Sequence, residues 1–167
     1  VTSIYLDLDL VDFVNAVRLE KNANADLGNA VSQKQHLYGM DNAKVAAIAA
    51  AARREAEGVL CAAVGGMPSA IIDSGWGFHF HYAVAPGVGK EDLKNLLAVL
   101  LPVLNERMRL IFKEEYLVST YYTAFDRSIK DPGSRVCRIP GSINKKNPKN
   151  PKTCAVLAEN PTEVLTQ

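Results

Sequence analysis

Polar and apolar residues alternate strictly near the start of the chain. In residues 3–10, Ile4, Leu6, Leu8 and Leu10 fall on one face of an extended segment and Tyr5, Asp7 and Asp9 on the other. This pattern predicts a half-buried strand. Residues 11–20 can form a short helix, and residues 21–41, rich in Asn, Gly and Gln, read as a loop. From Asn42 the Ala-rich run through Glu57 predicts a helix that stops at Gly58. After the Gly65-Gly66-Met67-Pro68 punctuation, residues 70–73 predict a strand, Ser74-Gly75-Trp76-Gly77 a tight turn, and residues 78–84 the returning strand. Pro86-Gly87 closes that hairpin.

Residues 91–108 carry Leu93, Leu96, Leu97, Leu100 and Leu104 at helical spacing, with Pro102 as a candidate kink. Residues 116–125 are apolar and β-prone, Asp131-Pro132-Gly133 turns, residues 135–139 predict a short extended piece, and residues 153–158 a last strand. The order β-α-ββ-α-β-β predicts an α+β fold with helices flanking one side of a mostly antiparallel sheet.

Composition fits that picture. The 167 residues are 48% hydrophobic and 22% charged, which describes one globular domain (1–167) with a substantial core and excludes collagenous, low-complexity and disordered chains. The chain begins with Val, so an N-terminally truncated domain is expected. No apolar run reaches the roughly 20 residues a membrane helix needs. Three widely spaced cysteines, Cys61, Cys137 and Cys154, offer no zinc-ligand spacing and suit a reducing cytoplasm.

The overall charge is only +1, but it is unevenly distributed. Residues 127–152 hold Arg127, Lys130, Arg135, Arg138, Lys145, Lys146, Lys149 and Lys152 against Asp131 alone, a local +7. Residues 1–126 carry eleven basic and fifteen acidic side chains, a net −4. A basic segment on a mildly acidic body suits a polyanionic partner; a solvated Lys-rich loop has the same composition.

Three clusters can carry chemistry. Asp7 and Asp9, two apart on a strand, project from the same face with Cα atoms roughly 6–7 Å apart. Such a pair suits a hard divalent cation, or the solvent face of an edge strand. In Ser74-Gly75-Trp76-Gly77-Phe78-His79-Phe80-His81, the glycines allow close backbone approach, while His79 and His81 share a face opposite the aromatic residues. Those imidazoles can meet a phosphate or a metal, or be ordinary surface histidines. Trp76 can stack on a base or cap the core. Finally, Asp126 ends an apolar run, as a metal carboxylate or a turn residue would. Beyond it, Arg135 and Arg138 precede a Pro-Gly turn followed by Ser142, Asn144 and Lys145, a pattern fitting a triphosphate or nucleic-acid backbone.

The order of these clusters is more specific than any one of them. Leu-Asp-Leu-Asp, then Asp-Ser-Gly-x-Gly-x-His, then Phe-Asp with Arg-Val-x-Arg-x-Pro-Gly-Ser-x-Asn-x-Lys, resembles the archaeo-eukaryotic primase superfamily. The chain is most similar to primase-polymerase domains of plasmid, phage and mobile-element replication proteins. The resemblance spans residue 4 to about residue 157 and implies an RRM-like sheet and template-dependent nucleotidyl transfer.

It further implies two divalent ions, Mg²⁺ or Mn²⁺, on Asp7, Asp9 and Asp126. Ser74, Gly75, Gly77, His79, Arg138 and Lys145 would serve an NTP or dNTP, and Arg135, Lys146 and Lys149 the nucleic acid. Single-stranded or primed DNA is the implied template and a fused or associated helicase domain the implied partner, in a bacterial or archaeal cytoplasm. Relatives usually carry more sequence before the first motif, and the zinc-binding insertion of some is absent. Two other readings remain open: a non-catalytic RRM-like module that binds single strands, and a two-metal phosphodiesterase.

Overall fold

The computed structural model describes residues 3–10, 37–116, 124–126, 137–159 and 164–165, and only the backbone of residues 111–116 and 164–165. The order is β1 (Ser3–Asp9), α1 (Asn42–Val64), β2 (Ala70–Asp73), β3 (Gly77–Val84), α2 (Lys90–Tyr116), β4 (Ile143–Asn144), β5 (Lys152–Thr153), β6 (Ala155–Glu159) and β7 (Val164–Leu165). The fold is α+β. The main sheet runs β1-β3-β2-β6 with every neighbouring pair antiparallel, and β7 joins the end of β3 in parallel. β4 and β5 form a separate hairpin.

The alternation in β1 behaves as its sequence requires: Ile4, Leu6 and Leu8 are buried while Tyr5, Asp7 and Asp9 are half-buried on the other face. Opposite them on β3, Phe78, Phe80 and Tyr82 enter the same core. Two helical stripes join it: Val45, Ala52, Ala56, Val59 and Leu60 from α1, and Leu93, Leu97, Leu101, Leu104 and Met108 from α2. Fully burying each large aliphatic side chain contributes roughly 1.5–3 kcal/mol. That apolar layer leaves the opposite face of β1 and β3 open for polar residues.

Several boundaries differ from expectation. Gly58 does not stop α1; the helix runs on because Val59 and Leu60 beyond it are buried, and it ends at Gly65 in the left-handed conformation (φ 80°). A helical glycine costs about 1 kcal/mol relative to Ala, less than that burial returns. Asp41 caps the start, its carboxylate accepting from the Ala43 amide at 2.8 Å. α2 passes through Pro102 and includes Tyr116, so the β-prone stretch expected from 116 begins in a helix. Leu96 lies outside the core, 43% exposed. The single last strand is two: Cys154 separates β5, paired with β4, from β6, paired with β2. Residues 137–139 form no strand. The helix expected at 11–20, the loop at 21–36, the turn at 131–133 and Arg135 lie outside the described residues.

Phe125 is held by one buried side chain. Asn105, on the apolar face of α2, accepts from the Phe125 amide at 2.9 Å and donates to the Phe125 carbonyl at 3.1 Å and the Leu101 carbonyl at 3.0 Å. Phe125 in turn bridges Leu8 of β1. Replacing Asn105 with Ala strands the Phe125 amide and carbonyl in the core. The expected cost is about 2–4 kcal/mol, read from urea denaturation as a lower midpoint with an unchanged slope.

Candidate functional site

The register of β1 on β3 builds the floor of the site. Asp7 lies opposite His79, Asp9 opposite Gly77 and Tyr5 opposite His81. Across the other edge of β1, the Leu8–Phe125 bridge is antiparallel and the Asp126 amide donates to the Asp7 carbonyl at 2.9 Å. Asp126 therefore stands at the register position beside Asp7, completing a row His79–Asp7–Asp126. Among the described residues no group of three or more His, Cys, Asp or Glu side chains is arranged to hold a metal ion.

Close approach of the strands depends on Gly77. A Cβ at Gly77 would collide with the Leu8 carbonyl oxygen and lie 3.2 Å from the Asp9 Cα. Gly75 is different: its φ of 89° is left-handed, and a Cβ there would meet Lys152 Cβ at 2.6 Å. Gly75 thus faces the β4–β5 hairpin. The Asp73 carboxylate accepts from the Gly75 amide at 2.6 Å and the Ser74 amide donates to the Gly77 carbonyl at 2.9 Å, which closes the turn.

A second buried asparagine docks the basic segment on that turn. Asn144 donates to the Ser74 carbonyl at 2.6 Å and accepts from the Lys146 amide at 2.9 Å. Its main-chain grip aims Lys146 at the floor, where Nζ stands 3.1 Å from Asp9 Oδ2. Both side chains are partly exposed, so the pair itself contributes little to stability.

The resulting cleft, about 450 Å³, is lined by β1 and β3 residues (Tyr5, Asp7, Asp9, Gly77, His79), by Ser74 and Trp76 of the turn, and by Cys137, Arg138, Ile139, Ser142 and Lys146. Of the residues expected there, Asp7, Asp9, Ser74, Gly77, His79 and Arg138 line it. Gly75, Asp126 and the exposed Lys145 and Lys149 do not. Lys146, expected on the nucleic acid, reaches the floor instead. Trp76 is only 1% exposed and sits in the core against Tyr38, with Lys152 Nζ 5.4 Å from its ring centroid, so it caps the core while edging the cleft.

His79 is buried and neutral. Its Nε2 is 3.7 Å from Asp7 Oδ1, too long for a hydrogen bond, and its Nδ1 is buried with no hydrogen-bond partner among the described residues. Burial lowers its pKa from 6.5 to about 4, assisted by the nearby His81, Arg138 and Lys146. Burial also lowers the pKa of His81, whose ring stacks on Tyr5 with centroids 5.4 Å apart. The site therefore combines carboxylates, two flexible cations and an imidazole that can donate one proton without carrying charge.

Comparison with known proteins returns no matching family model, no matching curated protein and no matching solved structure. The residues themselves carry the functional argument. Asn105 and the cleft-lining Cys137 were not signalled as site residues by motif order, whereas Asn144 was part of the third motif without its docking role being visible. Asn105 could have been found as an uncharged polar residue at helical spacing from Leu101 and Met108 of the apolar stripe.

Replacing Gly77 with Ala forces β1 away from β3. We expect a loss of roughly 1–3 kcal/mol in thermal or urea unfolding, and weakened backbone exchange protection across residues 3–9. For His79 the unfolded state takes up a proton first as pH falls. The stability contributed by its neutral form is complete above 6.5 and is lost as pH drops toward 4. Without metal ions, urea unfolding of the wild type should lose on the order of 3 kcal/mol more than His79→Gln across that window.

Proposed function

We propose that this domain is a template-dependent nucleotidyltransferase, a primase-polymerase core of the archaeo-eukaryotic primase superfamily on an RRM-like sheet. The observation that supports it most is one cleft lined by Asp7 and Asp9 together with Arg138 and Lys146. An NTP or dNTP carries both the metal-binding oxygens and the negative charge that this division of groups would recognise.

The donor chemistry suits hard divalent cations, because oxygen ligands from carboxylates are what Mg²⁺ and Mn²⁺ take. Asp7 and Asp9 would hold them, with Asp126 contributing from the neighbouring register position. Bound there, such ions supply Lewis-acid activation of a 3′-hydroxyl and neutralise the departing pyrophosphate. That Lys146 already stands on Asp9 fits a position where positive charge is needed.

The chain's own residues do the rest. Arg138 offers a planar guanidinium to phosphate oxygens. Lys146, within reach of Asp9, can serve either that carboxylate or a phosphate. His79 donates one N–H to a phosphate oxygen from a buried position, where its orientation costs no further ordering. The basic segment holds single-stranded or primed DNA, and a fused or associated helicase would deliver the template. Among the described residues no helix is long and apolar enough to cross a membrane.

A labelled primer on a single-stranded template, incubated with dNTPs and Mn²⁺, tests the reading. Wild type should extend the primer, and Asp7→Ala/Asp9→Ala should lose roughly 100-fold or more of that rate while keeping its fold and DNA affinity. Chelation of the cation should abolish extension. Extension that persists in the double variant would overturn the proposed role of these carboxylates. DNA binding without extension by wild type would favour a module that only binds single strands.

A further inference from the structure

The turn at residues 139–142, on the edge of the cleft, holds apolar side chains out in solvent on either side of it. Pro140 and Gly141 form its centre, with Gly141 at φ 87°. The Ser142 amide donates to the Ile139 carbonyl at 3.0 Å, which closes the turn. Proline before a left-handed glycine is the composition of a type II turn. Two further bonds fasten it to the strand region: Gly141 amide to Cys154 carbonyl at 2.8 Å and Cys154 amide to Ser142 carbonyl at 2.9 Å. Cys154 is itself buried, with its thiol directed to the Ser74 carbonyl at 3.5 Å.

Ile139 and Ile143 flank this pinned turn, and they are 73% and 57% exposed. Ile139 edges the cleft beside Arg138 and Ser142. Ile143 points away from the buried face because its strand neighbour Asn144 occupies the inward position. A well-fastened turn that keeps two β-branched apolar side chains in water, with Arg138, Lys145, Lys146 and Lys149 around it, combines two surface properties. An apolar ledge accepts the face of an unpaired base, and the cations accept its phosphates. Duplex DNA offers the second and hides the first, whereas a single strand offers both.

We propose that the turn from Ile139 to Ile143 is a ledge at the mouth of the cleft that receives an unpaired base of single-stranded DNA. This deepens the proposed function by naming the element that holds the template, and it rests on the nucleic-acid part of that reading, not on catalysis. The apolar contact adds affinity independent of salt, while the surrounding cations give the salt-dependent part.

Binding of a fluorescent single-stranded oligo-dA, with neither nucleotide nor divalent cation present, tests this directly. Ile139→Ser/Ile143→Ser should weaken binding roughly five- to tenfold with an unchanged slope of log affinity against log salt. It should leave binding to a blunt duplex unaltered. Lys145→Ala/Lys149→Ala should instead flatten the salt slope. Ile139→Trp enlarges the stacking surface and should tighten binding to the single strand; as a gain, it cannot be mistaken for misfolding. Unchanged affinity in the Ser and Trp variants, an equal loss on duplex, or no binding of oligo-dA by wild type would each overturn the ledge. Because no extension is measured, failure of nucleotidyl transfer leaves this result standing, and failure of the ledge leaves catalysis at Asp7 and Asp9 standing.

Discussion

The antiparallel register of β1 on β3 is the constraint on which the rest of the structure depends. Side chains alternate with period two, so a slip of one residue would carry Leu6 and Leu8 out of the core and drive Asp7 and Asp9 into it. The buried partners Phe78 and Phe80 oppose Leu8 and Leu6 and make that slip prohibitive. Gly77 then lets the strands meet at the site end, since any side chain there would strike the Leu8 carbonyl. The same register that fills the core thus sets Asp7 against His79 and leaves Asp9 open to Lys146.

Electrostatics on the open face follow from that placement. Two carboxylates two residues apart on one strand repel each other, and the fold answers with positive charge from outside the sheet. Lys146 reaches Asp9, and Arg138 stands near enough to His79 to disfavour its protonation. His79 cannot supply the compensating charge itself, because burial keeps its ring neutral. The division is physically sensible: flexible, partly exposed cations can change partners at little cost, while the buried imidazole gives fixed direction without a desolvated charge.

Much of this was legible in the sequence because it rests on short-range pattern. The alternation in 3–10, the Gly-x-Gly turn and the aromatic face of residues 78–82 report period and turn chemistry, which local sequence determines. Helix ends were less legible. Gly58 carries a stop signal, and only tertiary burial of Val59 and Leu60 carries α1 past it. The split between β5 and β6 was hidden for a related reason: residues 152–159 are uniformly strand-like, and their change of partner at Cys154 depends on residues 70–73 and 143–144 lying alongside. Lys145 and Lys146 are neighbours of identical chemistry. What separates them is the Asn144 bond to the Lys146 amide, a contact that motif order does not reveal.

Two of the buried asparagines, Asn105 and Asn144, show how an antiparallel sheet can position candidate residues that are not on its central strands. Asp126 and Lys146 both lie outside the strands of the main sheet, and apolar packing would leave their registers loosely set because it is not directional. Asn105 fixes Phe125 by bonding its amide and carbonyl together, and Asn144 fixes Lys146 relative to Ser74 by a donor on one side and an acceptor on the other. Each arrangement satisfies backbone groups that burial would otherwise leave unpaired. Each also fixes the main chain beside a charged residue: Asp126 next to Phe125, and Lys146 two residues beyond Asn144. In this fold two amide side chains thus set main-chain positions that apolar packing alone would leave loose.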